Sequence, residues 1–469
     1  MKKQEIEKAG DHFEYLASAI FQSQGFLIRR AVPLQLNAGT DATDIDVLGI
    51  KFVYPFQPLT LICDCKDRTR PQAHERLIWA KGLGSILRAT DVYVATRRAK
   101  LETVRFAAQN GVRVLTDEVI QEFSAQGTVD IAAAYSHAKA DTAVPLLVRV
   151  SKGAASDREL KEALWGSIGA FQHVDAFEDL NYSLSGIRRC STILQALGGS
   201  DSDVRFGWAY VLANFVVAFS VHLLHICAET LTLSKSDRRT YIFERLTYGA
   251  LGHAMATSLV DATLEFARSS YGMAASAQGL SKPRAKDMFH APEYADDIVG
   301  LVERAIRSPR MYHNLPQALD YILFDSGLVN AKFEAQSFYR TFPTLQGTDV
   351  LKATRNVFAF LRSHSHFVTR MIISSAEFLG EAHLDPELPQ QASEGSNTEP
   401  SGGHFENGRA SGGRSNYAPP TIPNQKVSEP PTTPYEGVRK EGETTSELKG
   451  EDPQDELFNV EQDHQKQGL

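Results

Sequence analysis

Apolar positions recur at helical spacing through residues 6–24, with Phe13, Leu16, Ala17, Ile20 and Phe21 on one stripe, and the run ends at Gly25. That pattern predicts an amphipathic helix closed by a glycine. The period then changes. Residues 26–36 read as an extended segment, and 44–53 as a strand carrying Ile45, Val47 and the apolar stretch 48–50. A turn at 55–58, bounded by prolines, leads to a further strand at 59–66, LTLICDCK. Helical spacing returns at 74–89, a short apolar strand (DVYVA) at 91–95, another helix at 99–110 stopped by Gly111, and a last strand at 112–115. The order α-β-β-β-α-β-α-β implies a small α/β domain.

Beyond it the pattern is helical. An Ala- and Gly-containing connector at 126–145 precedes segments at 157–171, 205–233, 237–267, 295–307, 315–323 and 351–380, with few Gly or Pro breaks and no repeat of fixed period. Residues 206–228 hold no formally charged side chain over 23 positions, enough to cross a bilayer. They also hold Asn214, Ser220, His222 and His225, which hydrocarbon tolerates poorly. The expectation is therefore the buried central helix of a bundle, and no membrane. From 385 onward Pro, Gly, Ser, Glu and Gln dominate, a composition too poor in apolar groups to offset the entropy of ordering. The expected organisation is an α/β domain at 1–125, a linker at 126–145, a helical domain at 146–380 for target recognition, dimerisation or regulation, and a disordered tail at 381–469.

Composition changes this picture little. With 42% hydrophobic and 23% charged residues the chain is ordinary for a globular protein, which excludes a collagen, a coiled-coil rod and a wholly disordered chain. Four cysteines (Cys63, Cys65, Cys190, Cys227) are too few for a disulfide scaffold, and the opening residues run into the amphipathic pattern without a basic-then-apolar signal. A reducing, cytoplasmic setting is expected. Charge matters more. Residues 381–469 carry 7 basic and 17 acidic groups, leaving 42 basic and 40 acidic in the first 380. The net charge of −8 thus belongs to the tail, and a polyanionic partner for the folded part stays open.

The chemistry concentrates at Asp46 and Asp64-Cys65-Lys66. Residues two apart on a strand share a face, so Asp64 and Lys66 project together and Cys63 and Cys65 project to the other side, as core. An acid and a lysine at the end of an apolar strand are costly unless something uses them. Antiparallel pairing of the two strands would set Asp46 across from Asp64, where two carboxylates repel unless a cation lies between them. Hard oxygen ligands suit Mg²⁺, with Mn²⁺ as a substitute. A bound ion of that kind activates water and polarises a phosphoryl oxygen, which makes the set suited to phosphodiester hydrolysis. A surface salt-bridge group of the same three side chains is the plain alternative.

In order, GDHFEYLASAIFQSQGF, TDIDVLG, LICDCKD, HERLIWAKGLGSILRA, DVYVATRR and AKLETVRFAAQNGVRVLT, spanning residues 10–116, resemble the PD-(D/E)XK nuclease superfamily and most closely its Mrr-like restriction endonuclease branch. The resemblance implies a restriction-endonuclease-like α/β fold. It implies Asp46 and Asp64 as metal-ligand acids, Lys66 as catalytic lysine, and Glu14 as the acid on the first helix with a metal or catalytic role. The family's "P-D" is not literal, because Ile45 precedes Asp46, and Asp44 competes with it by position. Alternation favours Asp46, since it places Ile45 and Val47 in the apolar layer. Restriction or antiphage defence is what the resemblance implies for the whole protein.

Arg68, Arg70, Arg76 and Lys81 follow the catalytic strand and Arg97 and Arg98 follow the next, a set that would flank a cleft and neutralise phosphates of DNA or, failing that, RNA. Gln72 and Lys81 are candidates for assistance from the following helix, and Thr96 for a place beside the cleft. Double-strand cleavage needs two active sites, which a homodimer would supply. His222, His225 and Glu229 share a helical face, but buried polar positions explain them better than a metal does, and the spacing of Arg362, His364 and His366 does not match that of helical ribonucleases. Two other readings stand beside the endonuclease. One is a catalytically silent nuclease-like module that holds nucleic acid or protein. The other is a helical signalling or scaffold protein.

Overall fold

A computed structural model places a five-stranded mixed sheet at the N-terminal end of the chain and helices after it. The structure describes residues 9–37, 40–66, 73–125, 156–172, 174–197, 202–270, 288–328, 334–345 and 350–364. The expected linker and tail lie outside the described residues, as does the end of the expected helix at 351–380.

Helix α1 (Ala9–Ser23) forms where the 3.6-residue stripe predicts it. It ends at Gly25, whose φ of 86° suits a residue without Cβ, and Phe26 N–H reaches back to Phe21 O at 3.1 Å to close the last turn. Strands β1 (Leu27–Asn37), β2 (Thr40–Val53) and β3 (Gln57–Lys66) follow as an antiparallel meander. Helix α2 (Ala73–Ile86), β4 (Asp91–Thr96), α3 (Leu101–Gln109) and β5 (Arg113–Thr116) then add two parallel strands, in sheet order β1-β2-β3-β4-β5. The run DVYVA reads as continuously apolar because β4 is covered on both faces, the usual condition of a parallel strand. A further helix, α4 (Asp117–Ala125), follows β5 without a sequence expectation, and β2 begins four residues earlier than its apolar run.

The two faces of the sheet have different covers. Val47, Cys63, Cys65, Tyr93 and Ala95 pack with Phe13, Ala17, Ile20 and Phe21 of α1. Ile62, Val92 and Val94 pack with Leu77, Ala80 and Leu83 of α2, and this second core runs on without a break into the helical part. The α/β and helical halves therefore share one core, and the described residues belong to a single unit, Met1–Gln390.

The helical part is built on α7 (Ser202–Thr230), packed by α5 (Ser156–Gly169) and α6 (Ala176–Leu197). The most apolar window of α7 is 94% buried inside the protein, so the uncharged stretch is a core helix that would be long and apolar enough to cross a membrane. His222 Nε2 lies 2.8 Å from Ala170 O, and His225 packs edge-on against Phe52 of β2 at 5.0 Å. Glu229 instead takes the Tyr241 hydroxyl, so this face forms no ligand cluster. The expected helix at 237–267 is two helices, α8 (Lys235–Tyr248) and α9 (Gly252–Ser270), because Gly249 and Gly252, at φ 64° and 69°, bracket a 3₁₀ turn. After α10 (Ala295–Arg307) and α11 (Pro309–Tyr312), helix α12 (Leu315–Asp320) passes into a π-helical stretch, Tyr321–Gly327. Helices α13 (Ala335–Thr341) and α14 (Val350–His364) complete the described chain. In α14 His364 pairs with Asp297 at 2.8 Å, and His366 lies outside the described residues.

A buried ion pair joins β1 to α12. Arg29 of β1, 5% exposed, meets Asp320 of α12, 1% exposed, at 2.8 Å, with its guanidinium 4.1 Å over the Phe171 ring. Gln317 donates to Gly25 O at 2.9 Å beside it. Removing one partner leaves an uncompensated charge in the core, whereas removing both need not. Arg29→Ala is expected to lower unfolding stability by about 3–5 kcal/mol, and Arg29→Met with Asp320→Leu to restore most of it, as read by urea denaturation.

Candidate active site

The β2–β3 ladder pairs Phe52 with Pro58 and Leu48 with Ile62, and its last pair is Val47 with Cys63. The next step would put Asp46 opposite Asp64. There the backbone ladder gives way to a side chain: Cys65 N–H donates to Asp46 Oδ2 at 2.7 Å. The same oxygen accepts from Lys66 Nζ at 3.0 Å, and Lys66 stands 3.6 Å from Asp64 Oδ1. Two carboxylates and an ammonium thus converge where β3 ends beside the middle of β2. Asp64 is nearly buried at 4% side-chain exposure, Asp46 is 17% exposed and Lys66 31%, so the lysine is the member that reaches outward.

Asp44 is exposed and pairs by register with Pro33, which leaves Asp46 as the acid of the cluster. The alternation argument for Asp46 is incomplete, however. Ile45 and Val47 are both buried, but Val47 joins the α1 core while Ile45 lines the α2-side pocket together with Asp46, Asp64 and Trp79. Facing this stretch, Ala31 of β1 adopts φ 47°, a conformation uncommon without glycine, between the pairs Arg30–Val47 and Val32–Ile45.

Arg76, expected to flank the cleft, is paired with an acid. From the first turn of α2 its Nη2 meets Asp64 Oδ1 at 2.5 Å and its Nε meets Oδ2 at 3.1 Å, a bidentate fork, with the guanidinium 4.9 Å from the Trp79 ring centre. It neutralises that acid. Burial raises the Asp64 pKa, the Arg76 hydrogen bond and the Lys66 charge oppose that, and Asp46 adds to it. For Lys66 burial works to lower the pKa, but the fields of Asp64 and Asp46 outweigh it and leave the pKa raised. Its ammonium is therefore a hydrogen-bond donor and positive charge at neutral pH.

Glu14 belongs to α1, on the Cys63/Cys65 side of the sheet, and its Oε2 is held by Arg30 Nη2 at 3.3 Å and Nε at 3.4 Å. Cys63 and Cys65 are buried, with their sulfurs 3.7 Å apart, as expected of core. Arg97 and Arg98 are exposed and follow Thr96, which pairs by register with Lys66, so they flank the cluster end of the sheet. Thr96 Oγ1 is buried there without a hydrogen-bond partner. Lys81 is exposed and lies five residues beyond Arg76, roughly 140° around α2, so it faces away from the acids. Arg68, Arg70 and Gln72 lie outside the described residues.

Among the described residues no group of three or more His, Cys, Asp and Glu side chains is placed to hold a metal. The Asp46/Asp64 pair still fits Mg²⁺ chemically, because that ion keeps several waters and is commonly bound through one or two carboxylates plus substrate phosphates. No family model, curated protein or solved structure matches the chain.

Because Asp64 is almost fully desolvated, Arg76→Ala is expected to cost about 1–3 kcal/mol of stability, and adding Asp64→Asn to recover part of it. Thermal and chemical unfolding of the two variants measures this.

Proposed function

We propose that the chain is a metal-dependent endonuclease that hydrolyses phosphodiester bonds of nucleic acid, DNA ahead of RNA, on a restriction-endonuclease-like version of the N-terminal sheet. The observation that carries this reading is the position of Lys66 Nζ, 3.0 Å from Asp46 and 3.6 Å from Asp64 where β3 ends beside the middle of β2. Asp46 and Asp64 would hold Mg²⁺ or Mn²⁺, which when bound lowers the pKa of water and polarises a phosphoryl oxygen. Lys66, charged and reaching outward, orients the attacked phosphate by donating to a non-bridging oxygen and offsets charge that develops in the transition state. Arg97 and Arg98 attract the backbone electrostatically. Glu14 serves α1 through Arg30. Restriction or antiphage defence in a reducing cytoplasm is the setting proposed, in keeping with four unpaired, buried thiols.

One observation favours a second reading. Arg76 occupies both oxygens of Asp64, which is what a catalytically silent module with an internally neutralised acid would contain. Plasmid nicking separates the two. With Mg²⁺ or Mn²⁺ the intact chain is expected to cut, and Lys66→Ala and Asp46→Asn each to slow cutting by about 10²–10³-fold. Arg97→Ala with Arg98→Ala is expected to weaken DNA binding and flatten its salt dependence. An intact chain that leaves supercoiled DNA, linear DNA and RNA uncut with either ion sinks the enzyme reading.

A further inference from the structure

The fork of Arg76 takes both oxygens of Asp64, and Lys66 stands 3.6 Å from one of them, so the more deeply buried acid of the pair already has its cations. Asp46, Asp64, Lys66 and Arg76 carry two negative and two positive charges and balance to zero. A divalent cation gains little from acids balanced in this way. With Arg76 in place it would add two uncompensated positive charges beside a carboxylate that is only 4% exposed, where water screens poorly.

The chemistry of the fork says what releases it. A guanidinium meets a carboxylate and a phosphate with the same pair of parallel N–H groups, whereas the ammonium of Lys66 acts as a point charge. The Arg76 side chain is 29% exposed, so its end of the ion pair borders solvent while the Asp64 end is enclosed. It rises from the first turn of α2, with the Trp79 ring centre 4.9 Å from its guanidinium as a flat surface beside it. Asp46 is held separately, by the Cys65 amide and Lys66 on one oxygen, so Arg76 can exchange partners without either acid moving.

We propose that Arg76 is a latch that makes metal loading depend on bound nucleic acid: a backbone phosphate takes the guanidinium from Asp64, and the released carboxylate completes the cation site with Asp46. The latch rests on the endonuclease reading and adds an order of events to it. Turned onto a phosphate, Arg76 forms a neutral pair with it, and the excess positive charge beside the acids falls from two to one. The coupling is reciprocal, so nucleic acid and metal raise each other's affinity by the same factor. Arg76 is thereby a positioning residue whose loss has an unusual sign. A merely structural arginine, once removed, would loosen the acids and weaken metal binding, whereas removing a latch strengthens it.

Mn²⁺ binding to the full chain without DNA, followed by the electron paramagnetic resonance signal of the free ion, tests this with no turnover involved. Arg76→Gln keeps a hydrogen-bond donor and removes the charge, and is expected to bind Mn²⁺ about tenfold more tightly than the intact chain. Adding Asp46→Asn to Arg76→Gln is expected to abolish the gain. Equal or weaker binding by Arg76→Gln, with Asp46→Asn still lowering it, overturns the latch and leaves the endonuclease reading standing. Mn²⁺ binding that Asp46→Asn leaves untouched, or no binding by any chain, removes the metal site and the latch together. A second measurement needs no variant. Fluorescence anisotropy of a short labelled duplex is expected to show the intact chain binding about 5–150-fold more tightly with Ca²⁺ than without it at matched ionic strength. A DNA affinity that stays level or falls on adding Ca²⁺ overturns the latch, whatever Arg76→Gln does.

Discussion

A single carboxylate oxygen organises the end of the sheet where the chemistry is concentrated. Asp46 Oδ2 accepts the Cys65 amide at 2.7 Å and the Lys66 ammonium at 3.0 Å, at the point where the β2–β3 backbone ladder stops. The side chain takes the place of the next strand pair. It thereby ties the last residues of β3 to β2 and keeps Lys66 beside Asp64. Register decides this arrangement. A slip of one residue in β3 would turn Asp64 and Lys66 toward α1 and bring Cys63 and Cys65 to the acid side, so the apolar pairs deeper in the ladder protect the cluster.

Register in turn depends on what covers the sheet. The acid-side face continues into the helical core through Phe52, Phe56 and α7, and the Arg29–Asp320 pair locks β1 to α12 in the same region. A buried ion pair contributes little net stability compared with well-packed apolar groups, but mispairing it is costly. Its physical effect is to penalise any other seating of the helices on the strands. The helical part therefore acts on the cluster through the sheet, with no contact to Lys66 needed.

Arg76 sets the electrostatic balance. Two acids this close, one of them desolvated, require compensation, and the protein supplies it from Lys66 on the strand and Arg76 on α2. The proposed cation would enter a site where a guanidinium already satisfies Asp64, so Arg76 and the ion compete for the same two oxygens. That competition links the two readings of the cluster: an internally neutral ion-pair group and a metal-binding acid pair contain the same atoms and differ in where Arg76 rests.

Much of this was legible in the residues alone. The switch between a period of 3.6 and a period of 2 is local, so α1, the strands and the order of elements could be read before any contact was known, and strand alternation put Asp64 and Lys66 on one side with Cys63 and Cys65 on the other. The division of 237–267 at Gly249 and Gly252 does not follow from the two glycines alone, because glycines stop a helix only when the following turn has packing to support it. Other features were decided by the tertiary structure, and all of them involve the rotation of one element against another. Arg76 turns onto Asp64 because of how α2 seats on β3, Lys81 turns away for the same reason, and Glu14 meets Arg30 across the α1–β1 contact. Periodicity states which side of an element is apolar. It carries no information about which distant charge that side will meet, since that depends on the long-range packing of the whole sheet and its helices.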